Sequence, residues 1–105
     1  MLIKSISNRV LKLVRNDSGE SESIIIFENH RWESPQGGWL NATSGGWMSV
    51  NGTNFVNINS DSGKSLIILK GFYFPTAVEG LKGNYSTLND TDAELGDWLI
   101  VSTIP

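Results

Sequence analysis

The chain has 105 residues, which is enough for a single domain with its own hydrophobic core. It contains no cysteine, and this excludes disulfide bonds, thiol chemistry and cysteine-ligated metal sites. The net charge is −3 and every acidic residue follows residue 16, so we expect no nucleic-acid partner, because phosphate binding requires clustered Lys and Arg.

The first segment, residues 1–16, is basic and amphipathic. Its apolar residues fall near one side of a helical wheel, and its cations include Arg9, Lys12 and Arg15. Such a segment can bind an anionic membrane surface or act as an organellar transit peptide, and it can equally form two short strands. We favour a segment that packs on the domain or on a second subunit. With the polar linker that follows, it makes an N-terminal appendage, residues 1–22.

The apolar runs of the chain are short. None approaches the roughly 20 residues that are needed to cross a bilayer. The first residues also lack the continuous apolar region and the small-residue cleavage site of a secretory signal. We therefore expect a cytoplasmic protein.

The remaining chain alternates apolar runs with clusters of Gly, Asn, Asp and Ser, as all-β domains do. The dipeptide Asn51-Gly52 is favoured in tight hairpins. Residues 84–94 are polar and acidic, which predicts a long loop with a short helical turn at its end. We predict strands at Ile24–Phe27, Trp47–Val50, Asn54–Ile58, Leu66–Leu69, Ala77–Leu81 and Trp98–Ile104.

Two stretches of this region share one outline. Ser23–Leu40 matches Ser65–Lys82 without a gap, since each opens on Ser and an apolar run and then places an aromatic and a glycine at equal spacing. A repeat of this length, with several short strands per copy, favours two Greek-key motifs that bury their apolar faces against each other. The sequence therefore predicts a β-sandwich, residues 23–105, made of motifs 23–64 and 65–105.

The repeat resembles the βγ-crystallin family, whose motifs open with a strand ending in an aromatic, followed by a second aromatic and a glycine. Phe27 and Trp32 fit the aromatic pair, although Ser34 stands where the glycine is expected. Residues 81–88 (LKGNYSTL) and 101–104 (VSTI) are similar to the family's later strands. The resemblance implies a non-enzymatic structural or stress-related protein that binds calcium weakly.

A second resemblance is to the dysferlin domain. The positions that carry it are Phe27, Arg31, Trp32, Pro35, Gly38, Trp39, Trp47 and Gly52. That family stacks several arginines on tryptophans in its later half, whereas Arg31 is the last arginine of this chain. This resemblance implies a membrane- or lipid-binding adaptor.

Two groups of oxygen-bearing side chains are candidate calcium sites. The first group occupies every second position before Gly63 and consists of Asn57, Asn59 and Asp61. The second group lies in the acidic loop and consists of Asn89, Asp90 and Asp92. Calcium prefers several such oxygens on a sharp turn. The same residue types are common in hairpin turns and solvated loops, so both interpretations stay open.

The four tryptophans can supply either the core or an aromatic binding surface. In a small β domain the core is the simpler interpretation. Trp39 and Trp47 are flanked by glycines, so we expect these two to be the most exposed. With the cations of the first segment they would form a lipid- or ligand-binding surface.

His30 is the only histidine of the chain. A general base needs an orienting carboxylate and a nucleophile or water nearby. Glu28 and Glu33 are close in sequence, but no Cys and no motif-placed Ser completes a triad. We therefore predict a non-enzymatic structural or binding module, with a membrane adaptor as the second hypothesis and subunit assembly through the first segment as the third.

Overall fold

A computed structural model describes residues 8–35, 42–50, 54–74 and 77–104 of the chain. Over these residues the fold is all-β, as the sequence predicts. Within them no helix has the length and apolar character to span a membrane. The strands are β1 (Asn8–Arg15), β2 (Ser21–Ile26), β3 (Arg31–Glu33), β4 (Ser44–Ser49), β5 (Phe55–Ser60), β6 (Ser65–Lys70), β7 (Lys82–Ser86) and β8 (Gly96–Ile104).

The eight strands form a closed antiparallel barrel. Each strand pairs with the next one along the chain, and β8 pairs with β1 to close the sheet. The predicted Greek-key sandwich is therefore wrong, and the βγ-crystallin and dysferlin resemblances are wrong with it. In a Greek key, the fourth strand follows a long connection and pairs with the first strand. In this barrel, every pair of neighbouring strands is consecutive in sequence, except for the pair of β8 and β1 that closes the sheet.

Strand β1 has partners on both sides. It pairs with β2 on one side and with the full length of β8 on the other, so this part of the basic segment belongs to the barrel wall. The register with β8 shifts between Val10 and Leu11, a bulge that bends the strand where the barrel closes. Lys12 is exposed between the buried residues Leu11 and Leu13.

Alternate residues of the strands point into the barrel and fill it. In β2, for example, Ile24 and Ile26 are fully buried and Ile25 between them is half-buried. An eight-stranded barrel is just wide enough for side chains to occupy its interior. The buried apolar residues are Leu11, Leu13, Ile24, Ile26, Trp32, Trp47, Val56, Ile58, Ile67, Leu69, Phe72, Phe74, Ala77, Tyr85, Trp98 and Ile100.

Trp32 crosses a neighbouring strand at a glycine. It lies opposite Gly45 of β4, and its Nε1 donates a hydrogen bond to the carbonyl oxygen of Asn59 on β5 at 2.7 Å. A Cβ at Gly45 would overlap that oxygen and lie 2.7 Å from the indole nitrogen. The missing side chain is therefore the space through which the indole reaches its acceptor.

Trp98 of β8 makes the same arrangement with strands β7 and β6. It lies opposite Gly83 of β7, and its Nε1 donates to the carbonyl oxygen of Lys70 on β6 at 2.9 Å. A Cβ at Gly83 would lie 2.6 Å from that oxygen and 2.7 Å from the indole ring. In both cases the ring is buried and its N–H group has a partner, as a core tryptophan requires.

One end of the barrel, which we call the closed end, is covered by a stack of four side chains. The ring of His30 stacks on Trp47 at 4.3 Å, and Trp47 stacks on Phe74 at 5.4 Å. The guanidinium of Arg9 lies over the Phe74 ring, 4.5 Å from its centroid. Arg9 also donates from Nε to the Ala77 carbonyl at 2.6 Å and from Nη2 to the Phe74 carbonyl at 3.1 Å. The connection between β6 and β7 is thereby tied to β1.

Replacing Arg9 by methionine is expected to lower the free energy of unfolding by about 1–2 kcal/mol. Methionine keeps an unbranched apolar stem, but the carbonyl groups of Phe74 and Ala77 lose the donor that bonds them. Urea unfolding followed by tryptophan fluorescence measures the change. The matched control is Lys12→Met on the same strand, where the side chain is exposed and a change within about 0.5 kcal/mol is expected. Equal losses in the two variants would contradict this description of the closed end.

Candidate functional site

The end of the barrel opposite the stack carries a cleft of about 400 Å³. It lies where β1 and β7 end and β6 and β8 begin, beside the connection that leads into β8. The cleft combines charged and polar side chains with aliphatic ones. Its walls are formed by Arg15, Asn16, Asp17, Leu66, Ile67, Tyr85, Glu94 and Leu95. We call it the Tyr85 cleft.

Tyr85 is the third aromatic residue that crosses a strand at a glycine. It lies opposite Gly96 of β8, and a Cβ there would lie 2.6 Å from the tyrosine ring and overlap the Val14 carbonyl on β1. The two tryptophans in this arrangement each donate to a backbone carbonyl. The hydroxyl of Tyr85 differs, because it is buried and has no hydrogen-bond partner among the described residues.

The hydroxyl of Tyr85 is also held in its neutral form. Burial raises the pKa of Tyr85 to about 12. Arg15 acts in the opposite direction, while Asp17, Asp97 and Glu22 reinforce the rise. At neutral pH the group is therefore a protonated phenol that can donate one hydrogen bond and accept others.

An ion pair forms the rim of the cleft. Arg15 donates from Nε to Asp17 Oδ1 at 3.1 Å and from Nη2 to Asp17 Oδ2 at 2.7 Å. This bidentate pair lowers the pKa of Asp17 and raises that of Arg15. Beside it, Asn16 donates from its backbone N–H to Leu95 at 2.9 Å and from its side chain to the carbonyl of Glu94 at 3.3 Å. These bonds fix the loop before β8 against the end of β1.

A polar layer occupies the barrel interior at the same end. Glu22 of β2 points inward and is only 3% exposed, and Ser34, just after β3, is 1% exposed. The Ser34 hydroxyl donates to Glu22 Oε2 at 2.9 Å. Of the charged groups that raise the pKa of Tyr85, Glu22 has the smallest effect. The interior therefore changes from apolar to polar towards the Tyr85 cleft.

A second cleft, of about 570 Å³, lies on the outer surface of the barrel. It is lined by Val14, Lys82, Gly83, Asn84, Asp97, Trp98 and Leu99. Two of its polar side chains bond each other, since Asn84 donates from Nδ2 to Asp97 Oδ1 at 2.8 Å, and the Trp98 N–H donates to the Lys70 carbonyl oxygen. Among the described residues of this outer cleft, no buried side-chain nitrogen or oxygen lacks a partner, and the Tyr85 cleft is therefore the stronger candidate site.

In the first predicted calcium group, two of the three residues have side-chain oxygens that are bonded to other protein groups. The Asn57 side chain accepts from the Ser65 hydroxyl at 2.6 Å. Asp61 accepts from the Ser44 hydroxyl at 2.8 Å and pairs with Arg31 at 2.9 Å, and these two contacts lower its pKa. Asn59 lies in β5 and bonds the Trp32 indole through its backbone oxygen.

The second predicted calcium group lies in the turn between β7 and β8. The Asp90 side chain accepts from the backbone N–H groups of Asp92 and Ala93, each at 3.2 Å, as in an ordinary aspartate turn. Asn89 and Asp92 are exposed in the same turn. No cluster of three or more His, Asp or Glu side chains with metal-binding geometry occurs in the described ranges.

The predicted lipid- or ligand-binding surface is divided by the barrel. Trp47 is 6% exposed and Arg9 is 8% exposed, and both belong to the closed end. Lys12 lies on the outer wall, and Arg15 lies at the Tyr85 cleft. Trp39 falls outside the described residues. Of the four predicted residues that the structure describes, Arg15 lines the candidate site.

His30, the one candidate general base, lies at the closed end. Its ring stacks on Trp47, its Nδ1 is 3.2 Å from the Trp47 carbonyl oxygen, and its backbone adopts a positive φ of 69° in the turn after β2. It is therefore part of the aromatic stack rather than of the Tyr85 cleft.

Comparison of the chain with protein-family models, curated proteins and solved structures finds no match. The geometry of the Tyr85 cleft is therefore the basis for a functional hypothesis.

Proposed function

We propose that this protein is a non-catalytic binding module that takes a small molecule into the Tyr85 cleft. The observation that carries the proposal is the Tyr85 hydroxyl, a buried polar group without a partner in the described chain. A native structure pairs most of its buried polar groups, because an unpaired one costs about 1–3 kcal/mol. A ligand that bonds this hydroxyl would recover that free energy on binding.

The shape of the barrel also indicates that a ligand would enter at the end that carries the Tyr85 cleft. Side chains fill the interior, and the stack from His30 to Arg9 covers the closed end. The cleft offers a volume within the usual range for small-molecule sites and combines an aliphatic wall with a few polar groups. Since the Tyr85 hydroxyl is not exposed to water in the free protein, a ligand that reaches it has to shift the side chains of the cleft wall.

The chemistry of the cleft favours binding over catalysis. Arg15 and Asp17 are engaged with each other, and the raised pKa of Tyr85 moves its proton out of the range useful for transfer at neutral pH. Among the described residues of the cleft wall there is no serine, threonine or histidine that could serve as a nucleophile or base. The calcium- and lipid-binding hypotheses stay predictions.

Replacing Tyr85 by phenylalanine is expected to weaken binding of a cleft ligand by about five- to tenfold, the effect of one lost hydrogen bond. A library of soluble ring compounds that bear one hydroxyl, amine or carboxylate group is screened by amide chemical shifts, and the strongest binder is titrated. The shifts are expected at Ile67, Tyr85 and Leu95, which line the cleft.

The matched control is Tyr73→Phe, which removes a hydroxyl from a half-exposed tyrosine in the connection after β6, at the closed end. We expect this variant to bind as the unchanged protein does. Shifts that map away from the cleft, or equal affinity of the Tyr85→Phe variant, would refute the proposal.

A further inference from the structure

Given the proposed function, on which this step depends, we infer that the Tyr85 cleft takes a small organic cation, a primary amine with an apolar ring or chain, in preference to an anion. Three features of the cleft carry this assignment: its charge, its hydrogen-bonding groups and its aliphatic wall.

The charge of the cleft is negative. Among the described residues that line it, Asp17 and Glu94 are anions and Arg15 is the one cation. The guanidinium of Arg15 makes two hydrogen bonds to Asp17, so these two charges largely offset each other. The net negative charge of the cleft therefore comes from the Glu94 carboxylate. Asp97 lies on β8 directly after Gly96, and its charge also acts on Tyr85. An anionic ligand in this cleft would be repelled by the Glu94 carboxylate.

The hydrogen-bonding groups match an ammonium group. The Tyr85 oxygen has lone pairs and no donor bonded to it within the described chain, and the exposed Glu94 carboxylate can accept as well. An ammonium group has three N–H donors and no acceptor, so it matches a cleft whose available groups are oxygen acceptors. A carboxylate ligand would use the Tyr85 proton, but it would compete with Asp17 for Arg15.

The apolar part of the ligand is set by the cleft wall. Leu66, Ile67 and Leu95 line the cleft, and Leu95 is 43% exposed, which is a large exposed fraction for a leucine. A ring or short chain that covers these residues removes apolar surface from water. The preferred ligand is therefore amphiphilic rather than a simple inorganic cation.

The test compares three probes with the same phenyl group and different charge: 2-phenylethylamine, 2-phenylethanol and 3-phenylpropionate. Each is titrated into the protein near neutral pH and followed by amide chemical shifts. We expect the amine to bind about threefold more tightly than the alcohol, because a charge pair at an exposed carboxylate has a modest effect. We expect the propionate to bind most weakly of the three.

The variant Glu94→Gln is expected to reduce amine affinity about threefold and to leave the alcohol unchanged. Its control is Glu79→Gln, which removes an exposed carboxylate from the connection between β6 and β7. This control is expected to change neither affinity.

The outcomes separate this inference from the proposed function. If the alcohol or the propionate binds in the cleft at least as tightly as the amine, the preference for a cation is overturned and the cleft remains a ligand site. If Glu94→Gln leaves amine affinity unchanged, the assigned role of Glu94 is overturned in the same way. If no probe shifts the cleft amides at millimolar concentration, both the preference and the proposed function are contradicted.

Discussion

Replacing Gly45 by alanine is expected to lower the free energy of unfolding by about 3 kcal/mol or more. The added methyl group would overlap the Asn59 carbonyl and lie 2.7 Å from the Trp32 indole nitrogen. Strands β4 and β5 would have to separate, or the indole would have to leave its place and lose its bond to Asn59. Either response removes packing at the centre of the barrel, where Trp32 is fully buried.

The matched control is the adjacent residue of the same strand, Gly46. A Cβ there has its nearest neighbour, the His30 carbonyl oxygen, at 3.5 Å, which is an ordinary contact. Gly46→Ala is expected to change the stability by less than about 1 kcal/mol, and in the stabilising direction, because alanine loses less backbone entropy on folding. Urea unfolding measures both variants. Similar losses at Gly45 and Gly46 would contradict the crossing of β4 by the indole.

Strand-forming segments were largely visible in the sequence. The apolar runs Leu66–Leu69 and Trp98–Ile104 fall within β6 and β8, and Ile24–Phe27 overlaps β2. These segments are rich in β-branched residues and are bounded by turn residues. Both features can be seen in the sequence of the segment itself, without knowledge of its partners. The class of the fold depends on such local patterns, and the all-β prediction is confirmed.

The position of strand β7 could not be predicted from the sequence. The predicted strand Ala77–Leu81 is wrong, because β7 is Lys82–Ser86, and part of it lies in the stretch predicted as a loop. The sequence KGNYS has a glycine at the position where Trp98 needs space and a single large inward residue, Tyr85. Its strand conformation comes from pairing with β6 and β8, which local propensity does not contain.

The internal repeat misled the topology prediction for a related reason. In an up-and-down barrel each strand presents the same alternation of inward and outward residues, so two segments can share an outline without belonging to a structural repeat. The repeat pairs Trp32 with Phe74, yet Trp32 lies in β3 and Phe74 lies in the stack at the closed end.

The candidate site could not be predicted because it depends on register. Tyr85 acquires its position from Gly96, across the turn that joins β7 to β8, and from the end of β1. Nothing in the residues near Tyr85 indicates that its hydroxyl lacks a partner. Among the predicted binding residues in the described part of the chain, Arg15 reaches the cleft, and it does so as the last residue of β1.

The stability of the protein is expected to fall at alkaline pH because of Tyr85. Its pKa rises from 10.0 to about 12 on folding, as burial disfavours the phenolate. Below pH 10 both the folded and the unfolded chain hold the proton, so this contribution is fully present. Between pH 10 and 12 the unfolded chain loses the proton while the folded chain keeps it, and roughly 2–3 kcal/mol of stability is lost.

The variant Tyr85→Phe lacks this titration and also lacks the unpaired hydroxyl. At neutral pH we expect it to be more stable than the unchanged protein by about 1 kcal/mol, since removal of a buried polar group without a partner relieves its desolvation cost. The gain in stability together with the loss of ligand affinity would mark Tyr85 as a residue that serves binding rather than folding.

The most direct test is the difference in unfolding free energy between Tyr85→Phe and the unchanged protein, measured by urea unfolding without ligand from pH 7 to pH 12. The other titrating groups are common to both proteins and largely cancel in the difference. The variant should be the more stable at pH 7, and its advantage should widen by roughly 2–3 kcal/mol towards pH 12. A variant that is less stable at pH 7, with a difference that stays constant above pH 10, would show that the hydroxyl is already bonded within the fold and would contradict the assignment of the cleft.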